Sequence, residues 1–345
     1  MRFSIIIPAK NEEGVIGTCL QHVADLDFRA DDFEVILADN GSSDRTLEIF
    51  HSWADRLNLS ALERPGVSIA ALRNAAAAVS GGTLLGFLDA DCLVPRNWLK
   101  DAEEFLEAAD AGIVGAHFRI PHDSTWIARC WFDDEHCNRA GETSYVPSGD
   151  LLVSRSTFNR IGGFDETLQT NEDYEFCQRA KRTGFSVYSF PQLEVIHLGT
   201  PQSISAFYHK QAWHGQHVLR VFRQNLPRLL NVKAVFFALY TFLGLLVVLC
   251  GAIALVMTSN PQLLIAAILF CLCGPFFLAL RAAIQRRKLT IFVPLIFLYL
   301  LYGVARASCI LQSLSGWNLT RRHAPERMLN SQESGELRGT GSNSR

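Results

Sequence analysis

Acidic residues stand at the ends of two apolar segments that have the composition of buried strands. Asp39 ends FEVILAD, and Asp89 and Asp91 end TLLGFLDAD, with Ala90 between them. If both segments are parallel strands, their carboxyl ends meet at the edge of the sheet where ligands bind. Paired carboxylates there supply the oxygen ligands of Mg²⁺ or Mn²⁺, which complete their shell with substrate phosphates. The sequence therefore predicts a divalent metal at Asp89 and Asp91; the alternative is that both only cap a turn.

Other carboxylates extend this prediction. Asp39 is suited to accept hydrogen bonds from a nucleobase or ribose, although an ordinary turn residue is the alternative. Glu172 and Asp173 precede a predicted helix, whose dipole favours the ionised form of a carboxylate. Such a group can act as general base on an acceptor hydroxyl, with a simple capping acid as the alternative.

Basic and aromatic residues supply further candidates. Arg73, in the helical pattern ALRNAAAA, is able to reach a nucleotide or phosphate, or is a solvated helix charge. The segment FYHKQAWHGQ carries His209, Lys210, Trp213 and His214, which could meet a phosphate or a sugar face. Because this segment shortly precedes an apolar stretch, an aromatic belt at a membrane surface is the rival explanation.

Strand and helix patterns alternate from Arg2 to about Ala116, which is typical of a parallel sheet with helices on its faces. The first strand, FSIIIPA, is followed by a helix that Asn11 is predicted to cap. The helix SIAALRNAAAAVSGG is predicted to end in a left-handed turn at Gly81 and Gly82. Residues 117–232 are less regular, and we expect an α+β region that carries the acceptor side. The prediction is one domain over 1–232, with a nucleotide-binding half at 1–116 and an acceptor-binding half at 117–232.

Three apolar stretches follow, at 234–257, 261–280 and 289–305. The first is long enough to cross a bilayer as a helix, and the predicted membrane domain of two or three helices spans 233–311. Basic residues flank the first stretch and separate the second from the third, which favours a cytoplasmic catalytic domain. A third full crossing would place Arg321 and Arg322 on the opposite side, unless that segment is interfacial or re-entrant. We expect the tail, 312–345, to be disordered at its end.

Composition narrows the class of protein. The formal net charge of -2 and pI of about 6.6 argue against a nucleic-acid partner, which usually needs a basic patch. Nine cysteines without a disulfide or zinc pattern indicate reduced or membrane-buried thiols. The short apolar run in MRFSIIIPAKNEE, followed by two glutamates, argues against a cleavable signal peptide.

Several segments together resemble a known family. In order and spacing, FSIIIPAKNEE, VILADNGSSDRT, ALRNAAAAVSGG, LLGFLDAD, GGFDE and NEDYEFCQRAKRTG are similar to the inverting glycosyltransferases of family 2. The resemblance covers about Arg2 to Gly184. It implies a Rossmann-like α/β fold of the GT-A type, with a mostly parallel sheet flanked by helices, here followed by C-terminal transmembrane helices.

The resemblance also implies a nucleotide-sugar site. Pro8, Glu12 and Asp39 would line the nucleoside pocket, with Arg73 near it. The donor would be a nucleotide-activated sugar, and the cofactor would be Mg²⁺ or Mn²⁺.

Further roles follow from the same resemblance. Asp89 would touch the ribose or the metal beside Ala90, and Asp91 would be the main metal ligand. Asp173 would be the catalytic base.

Acceptor-side residues complete the implied site. Ser148 and Gly149, in PSGDLLVSR, match the segment that shapes the acceptor pocket in the family. We place Glu172, Trp213 and His214 on the same side.

Two departures from the family pattern limit what is implied. Lys10 stands where many members carry an aromatic residue that stacks on the base, which leaves the base open. The Q-x-x-R-W motif of processive synthases is absent, since QAWHG keeps only Gln211, and this favours a single sugar transfer.

The expected function is metal-dependent inverting transfer of a sugar to a lipid-linked or membrane-presented acceptor. Glycolipid or cell-surface polysaccharide synthesis is the expected setting, at the cytoplasmic face of a bacterial inner membrane. One alternative is a membrane-anchored nucleotide-sugar binding protein without transferase activity. Another is a transporter or channel, which the lack of acidic residues in the apolar segments disfavours. The sequence does not indicate an oligomeric state.

Overall fold

The computed structural model describes residues 1–108, 112–132, 140–168, 170–215 and 232–315, so most of the predicted tail, from 316 onward, lies outside the described residues. Ten strands are described: β1 (Phe3–Ala9), β2 (Phe33–Asp39), β3 (Leu59–Glu63), β4 (Leu84–Leu88), β5 (Cys92–Leu93), β6 (Ile113–Gly115), β7 (Gly141–Glu142), β8 (Asp150–Ser154), β9 (Val187–Ser189) and β10 (Ile196–His197).

Eleven α-helices are described in the same ranges: α1 (Ile16–Ala24), α2 (Thr46–His51), α3 (Ile69–Val79), α4 (Trp98–Ala108), α5 (Trp126–Trp131), α6 (Arg155–Ile161), α7 (Glu172–Arg182), α8 (Ile204–Gly215), α9 (Val232–Thr258), α10 (Gln262–Gln285) and α11 (Phe292–Ser315).

Eight strands form one mixed sheet in the order β3-β2-β1-β4-β8-β6-β9-β7. The strands β3, β2, β1 and β4 are parallel, β8 is antiparallel to both β4 and β6, and β9 is parallel to β6. The short strands β5 and β10 pair separately. This architecture confirms the predicted α/β class, and its parallel half holds the strands that end in Asp39 and precede Asp89.

The sheet is covered on both faces, which explains why its central strands are apolar throughout. Side chains of a strand alternate between the two faces. In β1, Ile5 and Ile7 therefore join a core that includes Leu20 of α1, while Ile6 joins the opposite core with Ala76 of α3. Burial on both faces produces the continuous apolar runs seen in the sequence.

The predicted cap of the first helix is wrong. Helix α1 begins at Ile16, and its N-cap residue Val15 makes no side-chain cap hydrogen bond. Asn11 instead adopts a left-handed conformation with φ of 57°. Its side-chain oxygen accepts a hydrogen bond from the Ser43 backbone N–H at 2.8 Å. The amide thus fastens the loop after β1 to the loop after β2, a long-range contact that a local capping rule does not contain.

The predicted left-handed end of α3 is also wrong. The residue after the helix, Ser80, has extended backbone angles, and Gly81 and Gly82 have no positive φ. Gly82 is needed for a different reason, since a Cβ there would lie 2.5 Å from the backbone of Phe3 and Ser4. The glycine lets the chain enter β4 directly beside β1.

Three helices are long and apolar enough to cross a membrane: Val235–Thr258, Gln262–Gln285 and Leu289–Cys309, with mean hydropathies of 2.6, 2.7 and 1.9. They match the three predicted stretches, although the second runs five residues further, to Gln285. Helix α11 continues to Ser315, so the first residues of the predicted tail are helical. The division of the chain at 232 and 311 stays a prediction.

Helices α5 and α8 dock the α/β part onto the apolar helices. The guanidinium of Arg286, at the end of α10, donates to the backbone oxygens of Cys130 and Trp131, which end α5. Phe207 of α8 joins a buried cluster with Leu295 and other residues of α10 and α11. Capping a helix end from a neighbouring element satisfies carbonyl groups that the helix leaves free.

Substituting Gly82→Ala tests the close approach between β1 and β4. We expect the free energy of unfolding to fall by about 2 kcal/mol, because backbone atoms block the added methyl group. Gly17→Ala, in α1, is the matched control: its Cβ would meet only Ile49 at an ordinary 3.5 Å. This control is expected to be neutral or to gain about 0.5 kcal/mol. Equal apparent Tm values for both variants would contradict the proposed role of Gly82.

Candidate functional site

A fully buried arginine lies at the centre of the site. Arg73, in α3, is 1% exposed, and its Nη2 donates to Oδ1 of Asp89 at 2.7 Å. Its Nη1 donates to Oε1 of Glu172, also at 2.7 Å. The prediction that Arg73 lies in the site is supported by this geometry, whereas the alternative of a solvated helix charge is wrong. One guanidinium thus joins the end of β4 to the start of α7.

Asp89 is closely approached from the opposite side by Gly149. A Cβ at Gly149 would lie 2.4 Å from Oδ2 of Asp89, so only glycine fits without movement. The neighbouring Ser148 donates its hydroxyl to Glu172 at 3.3 Å, and its backbone N–H points to Oδ2 of Asp173 at 3.4 Å. The predicted acceptor segment is therefore in contact with the acidic residues from two other parts of the chain.

Asp173 is half-buried at the first turn of α7. Its Oδ1 accepts a hydrogen bond from the backbone N–H of Tyr174 at 2.7 Å. Burial raises the pKa of Asp173 to about 7, and the negative charge of Glu172 adds to this rise. A carboxylate with a pKa near neutrality is suited to exchange a proton with an acceptor hydroxyl.

Asp91 lies beside a histidine that the sequence did not indicate. Oδ2 of Asp91 is 3.4 Å from Nε2 of His197, in β10. Burial lowers the pKa of His197, against the opposing effect of Asp91, so the ring is neutral near pH 7. Gly199 permits this arrangement, because a Cβ there would lie 2.1 Å from Oδ2 of Asp91.

The donor atoms around Asp91 fit a divalent cation. Ligand atoms of Asp91, Cys92 and His197 lie within 4.8 Å of one another. Burial raises the pKa of the Cys92 thiol well above its usual value. Because Mg²⁺ and Mn²⁺ prefer oxygen to sulfur ligands, Cys92 is the weakest of the three candidates. The remaining carboxylate and neutral imidazole suit Mn²⁺, since imidazole is a ligand for transition metals and carboxylate suits Mg²⁺ and Mn²⁺. Asp89 as a second ligand stays a prediction, and one of its oxygens is already bonded to Arg73.

Glu12 is electrostatically coupled to the same carboxylates. Burial, followed by the negative charges of Asp91 and Asp89, raises the pKa of Glu12 to about 7. Its backbone N–H donates to the Thr46 hydroxyl at 2.8 Å, which holds it at the start of α2. A cation bound among these acids would offset their mutual repulsion.

Asp39 has a structural task at the end of β2. It is fully buried, and its Oδ2 accepts hydrogen bonds from the backbone N–H groups of Gly41 and Ser42 at 2.8 and 2.9 Å. The Ser42 hydroxyl donates to its other oxygen. These bonds build the turn that Asn11 also contacts, so a direct contact between Asp39 and a nucleoside stays a prediction.

Pro8 lies where two strands separate. It pairs with Ala38 of β2, but the pairing between β1 and β4 ends at Ile6 and Phe87. Proline has no backbone N–H to donate to a neighbouring strand. At Pro8 this costs no hydrogen bond to β4, because the two strands are no longer paired there. Ala90 is buried between the two predicted metal-site aspartates.

Trp213 and His214 lie apart from the acids, on α8. Trp213 is 53% exposed, and its ring is 4.8 Å from the ring of His214. One turn earlier, Lys210 donates to the backbone oxygen of Gly199 at 2.6 Å, so α8 is joined to the metal-side loop. The structure thus separates the predicted site residues into a central group, which includes Asp89, Glu172 and Asp173, and an outer pair on α8.

Sequence reasoning missed His197 and Gly199. Both belong to the segment EVIHLGT, more than a hundred residues after Asp91. A His two residues before a Gly is a weak local signal. Only the pairing of β10 with β5, in which His197 pairs with Cys92, brings this histidine to Asp91.

Known proteins match this fold and these motifs. The family model "Glycosyl transferase family 2" matches residues 4–173, about half of the chain, and the chain belongs to this family. Glycosyltransferase AglE from Haloferax volcanii is 28% identical over 191 residues, which cover 53% of this chain and 62% of that protein. Poly(ribitol-phosphate) beta-N-acetylglucosaminyltransferase TarS from Staphylococcus aureus is 36% identical over 116 residues, 33% of this chain and 20% of that protein.

A solved structure shows the same fold over most of the chain. The mannosyltransferase PcManGT from Pyrobaculum calidifontis, in complex with GDP-Man and Mn²⁺, covers 92% of this chain and 88% of its own, with a TM-score of 0.58 and 19% identity. At this identity the likeness establishes the fold. The chain spans less than two thirds of the length of AglE and TarS.

Substituting Arg73→Met tests the central ion pairs. We expect the free energy of unfolding to fall by about 3 to 5 kcal/mol, because two partly buried carboxylates lose their counter-charge. The loss should be larger at about pH 8 than at about pH 5, since protonation relieves the uncompensated charges. Urea unfolding at both pH values measures this difference.

Two further variants show whether the loss of stability comes from the ion pairs of Arg73. Arg29→Met removes a salt bridge to Asp32 whose arginine is 80% exposed, and it should cost less than about 1 kcal/mol. Adding Glu172→Gln to Arg73→Met should recover part of the loss. A loss for Arg73→Met that is no greater than that of the Arg29 control would contradict the central role of this ion pair.

Proposed function

We propose that this protein transfers a sugar from a nucleotide sugar to an acceptor held at a membrane. The observation that carries the proposal is the pair of buried ion pairs from Arg73, which bring Asp89 and the Glu172-Asp173 segment together at the carboxyl edge of the sheet. Membership of glycosyltransferase family 2 supports the reaction class. The named activities of AglE and TarS, and the GDP-Man bound to PcManGT, support a nucleotide-sugar donor.

In the proposed reaction Asp173 is the base. Its carboxylate takes the proton of the acceptor hydroxyl while that oxygen bonds to the anomeric carbon of the sugar. The bond from this carbon to the diphosphate breaks, and the nucleoside diphosphate leaves with the bonding electrons. Attack from the face opposite the leaving group inverts the configuration.

Asp91 and His197 are the proposed metal ligands. A bound Mn²⁺ or Mg²⁺ would supply positive charge to the departing diphosphate. Glu12 and Asp89 surround this position with further negative charge, and Ser148 and Gly149 border it on the acceptor side. Mn²⁺ fits the mixed oxygen and nitrogen donors better than Mg²⁺, which strongly favours oxygen.

The acceptor is proposed to be lipid-linked or membrane-presented. Three apolar helices follow the α/β part in the chain, and α5 and α8 pack against α10 and α11. Helix α11 contacts Trp131 of α5 through Tyr299 and bonds to α8 through Ser308. This lateral packing supports an interfacial third segment, which would keep the basic residues on both sides of it at the cytoplasmic face.

Substituting Asp173→Asn tests the base. We expect loss of sugar transfer by about a thousandfold with retained donor binding, because the amide cannot accept the acceptor proton. Glu175→Gln, two residues later in α7 and paired with Arg179, is the control and should keep activity. In the unmodified protein kcat/KM should rise as the pH passes through about 7, where Asp173 loses its proton. Retained transfer in Asp173→Asn would remove Asp173 from this role.

Metal titration tests the proposed metal ligands, Asp91 and His197. We expect Asp91→Asn and His197→Ala each to weaken Mn²⁺ binding by about tenfold or more, measured by the electron paramagnetic resonance of free Mn²⁺. His122→Ala, which removes an exposed histidine, should bind Mn²⁺ as the unmodified protein does. Unchanged Mn²⁺ affinity in His197→Ala would show that the imidazole is not a ligand.

A further inference from the structure

The C-terminal part of the chain has an unusual charge pattern. Residues 195–325 contain no Asp or Glu, yet they include basic residues both between and within the apolar helices. A basic side chain on these helices therefore cannot form an ion pair with any residue between 195 and 325. Buried cations in apolar surroundings need an anionic partner or a large compensation.

Arg306 is the basic residue most affected by this pattern. It lies inside the apolar span Leu289–Cys309, and its Nε is buried without a hydrogen-bond partner among the described residues. Its guanidinium lies over the ring of Tyr302 at 4.9 Å, and its stem packs against Gly215 at the end of α8. The guanidinium thus stands at the junction between the catalytic part and the apolar helices.

Two more basic side chains connect Arg306 to the metal side of the site. Burial lowers the pKa of His214 to about 4, and the positive charges of Lys210 and Arg306 contribute to this shift. Lys210 and His214 are four residues apart and so lie on one face of α8, and the Arg306 stem packs on the next residue, Gly215. Lys210 in turn bonds to the backbone of Gly199, which contacts Asp91. A line of nitrogen donors therefore leads from the catalytic centre to Arg306.

An aromatic groove adjoins Tyr302, whose ring Arg306 contacts. It has a volume of about 840 Å³, and Tyr302, the residue beneath the guanidinium, lines it. Trp131 of α5, Phe237 of α9 and Phe277 of α10 line it as well. Its volume lies in the range of ligand-binding clefts, and its wall is almost entirely apolar. The groove is thus bounded by the catalytic part at Trp131 and by all three apolar helices.

We propose that Arg306, together with Lys210 and His214, binds the phosphate of a lipid acceptor whose hydrocarbon chain lies in the aromatic groove. The inference rests on the proposed function, and it narrows the acceptor to lipids whose phosphate or diphosphate carries a group with the hydroxyl that Asp173 deprotonates. A guanidinium can bond two phosphate oxygens at once, and a phosphate supplies the charge that the acid-free region lacks. A lipid alcohol would leave Arg306 unpaired, and a free phosphate would leave the groove unused.

Lipid retention by the full-length protein tests the proposal. The protein is reconstituted in phosphatidylcholine nanodiscs that contain a polyprenyl phosphate or the matching polyprenol, and retained lipid is quantified by mass spectrometry. We expect the unmodified protein to retain the phosphate over the alcohol by about tenfold or more, from charge-assisted hydrogen bonds. Equal retention of the alcohol would overturn the proposal.

Variants locate the binding to Arg306. Arg306→Gln should lose about tenfold or more of the affinity for the polyprenyl phosphate. Arg306→Lys should keep part of it, which separates loss of charge from a folding defect. Arg281→Gln, an exposed arginine of α10 in the same acid-free region, is the matched control and should bind as the unmodified protein does. Unchanged binding in Arg306→Gln would overturn the proposal.

Competition distinguishes the possible sources of phosphate. Inorganic phosphate and a short, water-soluble isoprenyl phosphate should displace the long-chain lipid weakly, because neither fills the groove. Displacement by inorganic phosphate at equal concentration would indicate a site for free phosphate and would overturn the proposal.

Donor binding and consumption are measured on the same samples. Binding of a nucleotide sugar by Arg306→Gln shows that the variant is folded. Lipid binding that depends on Arg306, without any donor consumption, would refute the transferase and leave the lipid site intact. Donor consumption with no preference for the lipid phosphate would support the transferase and refute the lipid-phosphate site.

Discussion

The guanidinium of Arg73, buried between Asp89 and Glu172, is the interaction on which the candidate site depends. Two carboxylates so close to each other would repel, and the cation between them converts that repulsion into two bonds of 2.7 Å. Because Arg73 is fully buried, breaking either bond would leave an uncompensated charge. The start of α7, which carries Asp173, is thereby held against the end of β4 through Arg73, which lies 99 residues before Glu172 in the sequence. The proposed base, Asp173, and the predicted metal ligand, Asp89, could act together only if their separation were fixed in this way.

Glycines complete the site by making room for carboxylate oxygens. Gly149 and Gly199 approach Asp89 and Asp91 so closely that any Cβ would overlap an oxygen. The first brings the acceptor segment to the sheet edge, and the second brings the loop after β10, with His197, to the metal side. Each of these two acids is thus approached closely by backbone on one side.

Helix α8 connects the chemistry to the membrane part. Its Lys210 bonds to the loop that touches Asp91, and its last turn packs on Arg306 and Cys309 of α11. A movement of α11 relative to the sheet would therefore shift the loop that contains Gly199.

Local patterns in the sequence determined the strands and helices, but not the start of α1 or the end of α3. The apolar runs of β1, β2 and β4, the aspartates that end or follow them and the three apolar helices depend only on neighbouring residues, and the structure has all of them. The ordered motifs also indicated the family.

Tertiary structure decided the contacts between distant segments, which no local rule contains. It turned Asn11 from a helix cap into a bridge between loops, used the buried carboxylate of Asp39 to build a turn, and gave Arg73 two partners far along the chain. It also brought His197 to Asp91 through a two-residue strand. The physical reason is that hydrogen bonds and ion pairs between distant segments depend on how helices and strands pack, and packing is a property of the whole fold.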